Sequence, residues 1–228
     1  MISPLTIIAA TNFSDIANNA VAYAAGLARA TGAKLVLFNS FSLSVHSANS
    51  HITADAMQKQ IDRAIARLEN LAKETADLFR IETEAICTYS FLEDELPRII
   101  KETNAGVVVM GMAERSFEQE LLGNSTTTAI KNLLIPVLAV PQNARFINIR
   151  KVLYACDSLS FSAIKKFSWI KNALGDFEAE IEFFTVDDKL DDLKEEQHRI
   201  LMNSNLEKEF EDVKYLYKTV RSNAVINE

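Results

Sequence analysis

The stretch "VVVMGMAERSFEQELLGNSTTTAIKN", Val107 to Asn132, carries the residue types best suited to hold a ligand. Three valines and Met110 lead into Gly111, where the missing side chain would let a ligand approach the backbone closely. Gly123, Asn124, Ser125, Thr126 and Thr127 then open a helical pattern. Backbone amides at a helix N-terminus attract anions whatever the side chains are. Arg115 offers a multidentate donor to a phosphate. The chemistry that fits is anion binding, with phosphate as the natural candidate. Nothing in the chain supplies a nucleophile–base pair, so no catalytic residue is assigned. The three histidines, His46, His51 and His198, have no ligand spacing, so no metal site is inferred.

The same loop carries a counter-signal in Glu114, Glu118 and Glu120. If the Glu114 carboxylate lay ~5 Å from a phosphate charge, repulsion would reach about 3 kcal/mol per unit charge at an effective dielectric of about 20. A helix end contributes only about 0.3–1 kcal/mol in the other direction. Rotation of Glu114 outward, or pairing with Arg115, would remove the objection.

Alternating strands and helices must position this loop. Leu5 to Ala10 is a short apolar run ended by Thr11-Asn12-Phe13-Ser14, and Ser14 suits a helix N-cap with Asp15 in the first turn. Ile16, Ala20, Val21, Ala24, Leu27 and Ala28 recur at helical spacing until Gly32. Lys34 to Asn39 reads as a strand. Thr53 to Leu78 reads as a long amphipathic helix whose stripe is Met57, Ile61, Ile65, Leu68, Leu71 or Ala72, and Leu78. Ile81 to Thr88 reads as a strand. Leu96, Ile99 and Ile100 suggest a helix beginning near Asp94, which would keep Pro97 in its first turn. Strand Val107 to Met110, the loop, a helix through Leu134 and strand Pro136 to Val140 complete the series.

Such alternation implies an α/β fold, a doubly wound parallel sheet flanked by helices. Ligands in these sheets sit beyond the carboxyl ends of the strands. That singles out Thr11-Asn12 and Gly111-Met112. Asn12 has two readings: a hydrogen-bonding contact to a base or ribose, or a cap of the helix that follows through an Asx-type turn. Ser125, Thr126 and Thr127 likewise serve either binding or capping.

A second start follows Pro141. "KVLYACDSLS" echoes "TIIAATNFSD", and "AEIEFFTV" echoes "AKLVLFNS". A helix-like segment, Ala163 to Leu174, a charged helix and strand "DVKYLYKTV" extend the echo, which stops at Glu228. The expected domains are 1–143 and a partial second copy, 150–228, holding the first three strands.

Bulk properties narrow the role. The 228 residues carry a net charge of −7, which disfavours nucleic-acid and membrane-surface partners. No apolar run is long enough to span a bilayer, and the N-terminus does not read as a signal peptide. Cys87 and Cys156 sit far apart in apolar runs and read as buried free thiols. Together these features point to the cytoplasm.

The "TNFS" turn, the strand end "VVVMG", the loop to "GNSTT" and the closing "PVLAVP" resemble the universal stress protein family in its tandem form. That family's loop reads Gly, two residues, Gly, nine residues, Gly, then Ser or Thr. Gly111 matches the first glycine and Gly123 the third. Glu114 stands at the second, the loop is one residue shorter, and Asn124 stands at the Ser/Thr position. Asn12 replaces the usual acidic residue, which the second copy keeps as Asp157. The resemblance implies five parallel strands in order 3-2-1-4-5. It also implies pairing through strand Pro136–Val140, either as a homodimer or as an intrachain pseudo-dimer. It further implies a regulatory, stress-response role without catalysis, and ATP or AMP in the first domain. The binding set would then be Thr11, Asn12, the backbone at Phe38–Asn39, Gly111, Arg115, Gly123, Asn124, Ser125 and Thr126. The alternative is the same fold with no nucleotide, acting as a dimeric scaffold or interaction module. Because the second copy lacks its last strands, the resemblance implies either that the chain continues beyond Glu228 or that the edge strand pairs with another chain.

Overall fold

The computed structural model describes residues 5–41, 53–113, 125–156, 177, 179–187 and 215–221. They fall into two units, Met1–Ile147 and Asn148–Glu228. The helix-like segments expected in the second half, and Asp157, lie outside the described residues.

In the first unit the elements run β1 (Thr6–Ala10), α1 (Asp15–Thr31), β2 (Lys34–Ser40), α2 (Ala54–Phe79), β3 (Thr83–Thr88), α3 (Leu92–Thr103), β4 (Ala105–Met112), α4 (Ser125–Asn132) and β5 (Val137–Pro141). All five strands are parallel, in order β3-β2-β1-β4-β5. This is the doubly wound sheet that the alternation implies. The central strands β1, β2 and β4 are short runs of Ile, Val, Leu and Ala, because a strand covered on both faces has no polar side to show. Ile8, Val36, Phe38, Val108 and Met110 pack with Leu96 and Ile99 of α3 and Ala129 of α4. Alternate strand residues, among them Ile7, Leu35 and Leu37, are fully buried too, and α1 and α2 pack together against the sheet.

Helix ends follow local chemistry. The Ser14 hydroxyl accepts a hydrogen bond from the Ala17 N–H, and Gly32 ends α1 in the left-handed region at φ 64°. Helices α2 and α3 stop the same way without glycine, at Arg80 and Asn104.

Three elements depart from the sequence reading. The buried stripe of α2 runs through Leu68, Ala72 and Thr75, whereas Leu78 is 75% exposed. Seven residues from Leu68 to Thr75 is nearly two whole turns, but ten residues to Leu78 is not, so Leu78 rotates off the face. Thr75 is tolerated there because its hydroxyl donates to the Leu71 carbonyl at 2.7 Å. Helix α3 begins at Leu92, so Pro97 lies in its interior. Pro97 and Glu93 are both exposed, and the carbonyl left without an N–H partner can turn to water. Strand β4 runs past Met110 to Met112, so Gly111 is a sheet residue paired with Val140.

The second unit shows β6 (Lys151–Cys156), β7 (Glu180–Asp187) and β8 (Tyr215–Arg221). They form a three-stranded sheet, parallel throughout, in order β6-β7-β8. Phe177, Ala179 and Ile181 are buried in it.

Candidate functional site

The chain leaves β1 toward α1 on one face of the sheet and leaves β4 toward α4 on the other. The crevice between those departures is where open α/β sheets bind ligands. A cavity of about 480 Å³ opens there, within the usual range for small-molecule sites. Its walls come from the ends of β1, β2 and β4 and the first turns of α1, α3 and α4.

Thr11, Asn12, Gly111, Ser125 and Thr126 all line this cavity. Their order in the chain is scattered; the parallel sheet brings them to one edge. Arg115, Gly123 and Asn124, and with them Glu114, lie outside the described residues.

The turn after β1 is held by its own side chains. The Thr11 hydroxyl accepts from the Phe13 N–H at 2.9 Å. The Asn12 side-chain Oδ1 accepts from the Ser14 N–H at 3.1 Å, which is the Asx-type turn. These bonds hold Phe13 at φ 63°. The Arg67 guanidinium lies over its ring, 4.3 Å from the centroid.

Phe38 and Asn39 stand behind the cavity wall. The Phe38 carbonyl accepts from the Thr11 N–H at 2.8 Å. The Asn39 amide, buried, donates to the Thr11 carbonyl at 2.7 Å. Asn39 is in turn approached by the Cys87 thiol at 3.6 Å. Their effect is to position Thr11. Cys87 is half-buried, and burial pushes its thiol pKa up.

Gly111 has a reason to be glycine that the sequence does not suggest. A β-carbon there would lie 2.7 Å from the Ile16 carbonyl oxygen and 2.9 Å from its carbonyl carbon. The missing side chain lets β4 approach the first turn of α1. The Gly111 carbonyl also accepts from the Thr126 hydroxyl at 3.0 Å, tying α4 to the end of β4.

Other cavity residues escaped the sequence reading: Ser40, Phe91, Leu92, Glu93 and Met110. Phe91, Leu92 and Glu93 belong to the start of α3, which follows the edge strand β3. Only the strand order carries them to the β1–β4 crevice. Their one legible signal was the acidic run Glu93-Asp94-Glu95 in a first helical turn. Among the described residues, Glu93 is the one charged side chain in the wall. No cluster of His, Cys, Asp or Glu able to hold a metal occurs among the described residues, and no described helix is long and apolar enough to cross a membrane.

The universal stress protein family model matches residues 5–141. The chain belongs to the universal stress protein family. Its five-stranded unit has that fold, and the match ends at the last residue of β5. A universal stress protein from Archaeoglobus fulgidus DSM 4304 is similar in structure, with a TM-score of 0.76 over 97% of this chain and 80% of that one, at 15% identity. A functionally unknown protein from Pseudomonas aeruginosa PAO1 gives a TM-score of 0.61 over 98% of this chain and 76% of that one, at 14% identity. A universal stress protein solved in complex with cAMP gives 0.44 over 60% of this chain and 96% of that one, at 20% identity. For the first two, identities this low show likeness of fold alone. No curated protein matches the sequence.

Proposed function

We propose that the first unit binds an adenine nucleotide, ATP or AMP, in the crevice between β1 and β4, and that the protein acts by binding rather than catalysis in a cytoplasmic stress-response or regulatory role. The observation that carries this reading is the cavity of about 480 Å³ at the switch in strand order, with Thr11, Asn12, Gly111, Ser125 and Thr126 on its walls. Asn12 presents a side-chain amide, and α4 presents its first turn, which suits an anion. Arg115, Gly123 and Asn124 would complete the phosphate end. Titration calorimetry with ATP, ADP and AMP, together with mass spectrometry of small molecules released from the denatured protein, tests it. Micromolar binding or a stoichiometric nucleotide is expected. No heat at millimolar ligand and an empty protein would remove the reading. Enzyme-dependent ATP turnover would remove its non-catalytic part.

A second reading, a dimeric scaffold, is favoured by β5. Among the described residues it pairs with β4 alone. Beside it Leu134 is fully exposed and Ile130 half-exposed. An apolar unpaired edge invites pairing, with a second copy or with a further domain of the chain. Light scattering at micromolar concentration should report a dimer if a second copy supplies the pairing; a monodisperse monomer would remove that form. We also read residues 150–228 as part of a second copy of domain 1–143. The support is that β6, β7 and β8 are adjacent, sequential and parallel, as β1, β2 and β3 are. Limited trypsin digestion should then cut first near Arg150 and leave residues 1–143 folded.

A further inference from the structure

We propose that Glu93, in the first turn of α3, is the residue of this cavity that accepts the vicinal hydroxyls of a ribose, and so selects nucleosides and nucleotides with an intact 2′,3′-diol. The inference rests on the nucleotide-site reading above and assigns one part of it.

Several side chains on the other walls already take part in bonds that build the site. Thr11 Oγ1 accepts from the Phe13 N–H and Asn12 Oδ1 from the Ser14 N–H. Ser14 Oγ accepts from the Ala17 N–H. The Gly111 carbonyl accepts from the Thr126 hydroxyl, and the Ser40 hydroxyl donates to the Ser90 carbonyl. These bonds build the β1–α1 turn and fasten α3 and α4 to the strand ends. Glu93 is exposed and lines the cavity. It takes part in none of the ion pairs found among the described residues. Its carboxylate is the one charged acceptor in the wall among the described residues, and charged acceptors make the stronger hydrogen bonds.

An ionised carboxylate accepts only, through two adjacent oxygens. A ribose diol offers two adjacent donors. The hydrogen-bonding edges of adenine place a donor beside a ring-nitrogen acceptor, whose lone pair the carboxylate would repel. The diol is the better match. The same negative charge keeps phosphates away from the α3 wall and leaves the Ser125–Thr126 side for them. Phe91, which also lines the cavity and is 62% exposed, adds an apolar rim.

Hydrogen bonds to a charged group are worth enough that losing the diol should weaken binding roughly tenfold or more. Calorimetry or a fluorescence competition assay on the full chain would compare adenosine, 2′,3′-dideoxyadenosine and N6,N6-dimethyladenosine, against wild type, Glu93→Gln and Glu93→Ala. Melting temperatures should barely differ among the three proteins, because Glu93 is exposed. Wild type should prefer adenosine over the dideoxy compound by roughly tenfold or more, and Glu93→Ala should bring that ratio within about threefold, with Glu93→Gln between. An unchanged diol preference in Glu93→Ala would overturn the assignment and leave the nucleotide site standing. A loss seen only with the N6-dimethyl compound, abolished in Glu93→Ala, would move Glu93 to the base and also overturn it. Absence of binding by all three compounds and by AMP would remove the site reading and this inference together.

Discussion

Replacing Gly111 by alanine separates two accounts of why glycine stands there. On the ligand account, a methyl group narrows the cavity and leaves the fold intact. On the packing account, it strikes α1. The new carbon would lie 2.7 Å from the Ile16 carbonyl oxygen, 2.8 Å from Ile16 Cγ2 and 2.9 Å from the Ile16 carbonyl carbon, where ordinary contact begins near 3.4 Å. Two of those atoms are backbone in the first turn of α1 and cannot rotate aside. The end of β4 and the start of α1 would have to part by roughly half an ångström, loosening the buried Ala17, Ala20 and Val21 face. Overpacking of this kind costs ~1–3 kcal/mol. Gly111 is not in the left-handed region, so alanine adds no backbone strain and returns ~0.4–1 kcal/mol through the unfolded chain. The net expectation is a loss of about 1–2 kcal/mol in urea unfolding, with the melting temperature falling by ~2–8 °C. Gly32→Ala is a useful contrast. No atom lies within 4 Å of its added carbon, yet its φ of 64° is one alanine resists, so it should destabilise by conformation alone. A Gly111→Ala protein as stable as wild type, with nucleotide affinity lost, would refute the packing account.

Ser14→Ala removes the hydroxyl that accepts from the Ala17 N–H; urea denaturation should show a loss of about 1 kcal/mol, and no loss would mean that Asn12 and Thr11 hold the turn unaided. Gly26 lies mid-helix in α1, where a β-carbon would meet the Phe146 ring at 2.8 Å, and that ring packs edge-on to Tyr23 at 5.4 Å. In a Phe146→Ala background, Gly26→Ala should therefore stabilise by up to ~1 kcal/mol, and in the wild-type background it should not; equal gains in a double-mutant cycle would contradict the contact. Burial raises the pKa of the Cys87 thiol, so at pH 8–9 it holds less thiolate than an open chain does. Iodoacetamide labelling read at Cys87 by peptide mass should thus have a pH midpoint above that of the urea-unfolded protein. The unfolded thiol ionises first, so this group's contribution to stability is present below the ordinary thiol pKa and lost as pH rises through the raised folded value. Matching midpoints would refute the burial argument.

Much of the frame is written in local pattern. The apolar runs that become β1, β2 and β4 are short, continuous and bounded by polar turns, because a strand covered on both faces must be apolar throughout. Ser14 and Gly32 mark the ends of α1 because capping and left-handed conformation are properties of single residues and their neighbours. Thr11 and Asn12 follow the first strand, and Gly111 lies at the end of the fourth, so strand-end chemistry alone singled them out. Other features depended on distant contacts. Leu78 was apolar and near enough in period to join the α2 stripe, but the sheet selects one face of a rigid helix, and Thr75 took the buried place once its hydroxyl found the Leu71 carbonyl. Arg80 ends its helix in the left-handed region without glycine, which local preference does not mark, whereas Asn104 is a residue that tolerates that region.

The sequence by itself determined that this chain makes alternating strands and helices with a polar, hydroxyl-rich crossing after the fourth strand, since periodicity, caps and breakers act within a few residues. Tertiary structure alone decided what meets at the crevice. The first turn of α1 comes close enough to Gly111 to crowd a β-carbon there, and Phe38 and Asn39 hold Thr11 in place by hydrogen bonds. Phe91 and Glu93 reach the cavity because a strand order of 3-2-1-4-5 brings the start of α3 beside the ends of β1 and β4. Such neighbours are far apart along the chain, and only the packed sheet sets their distance.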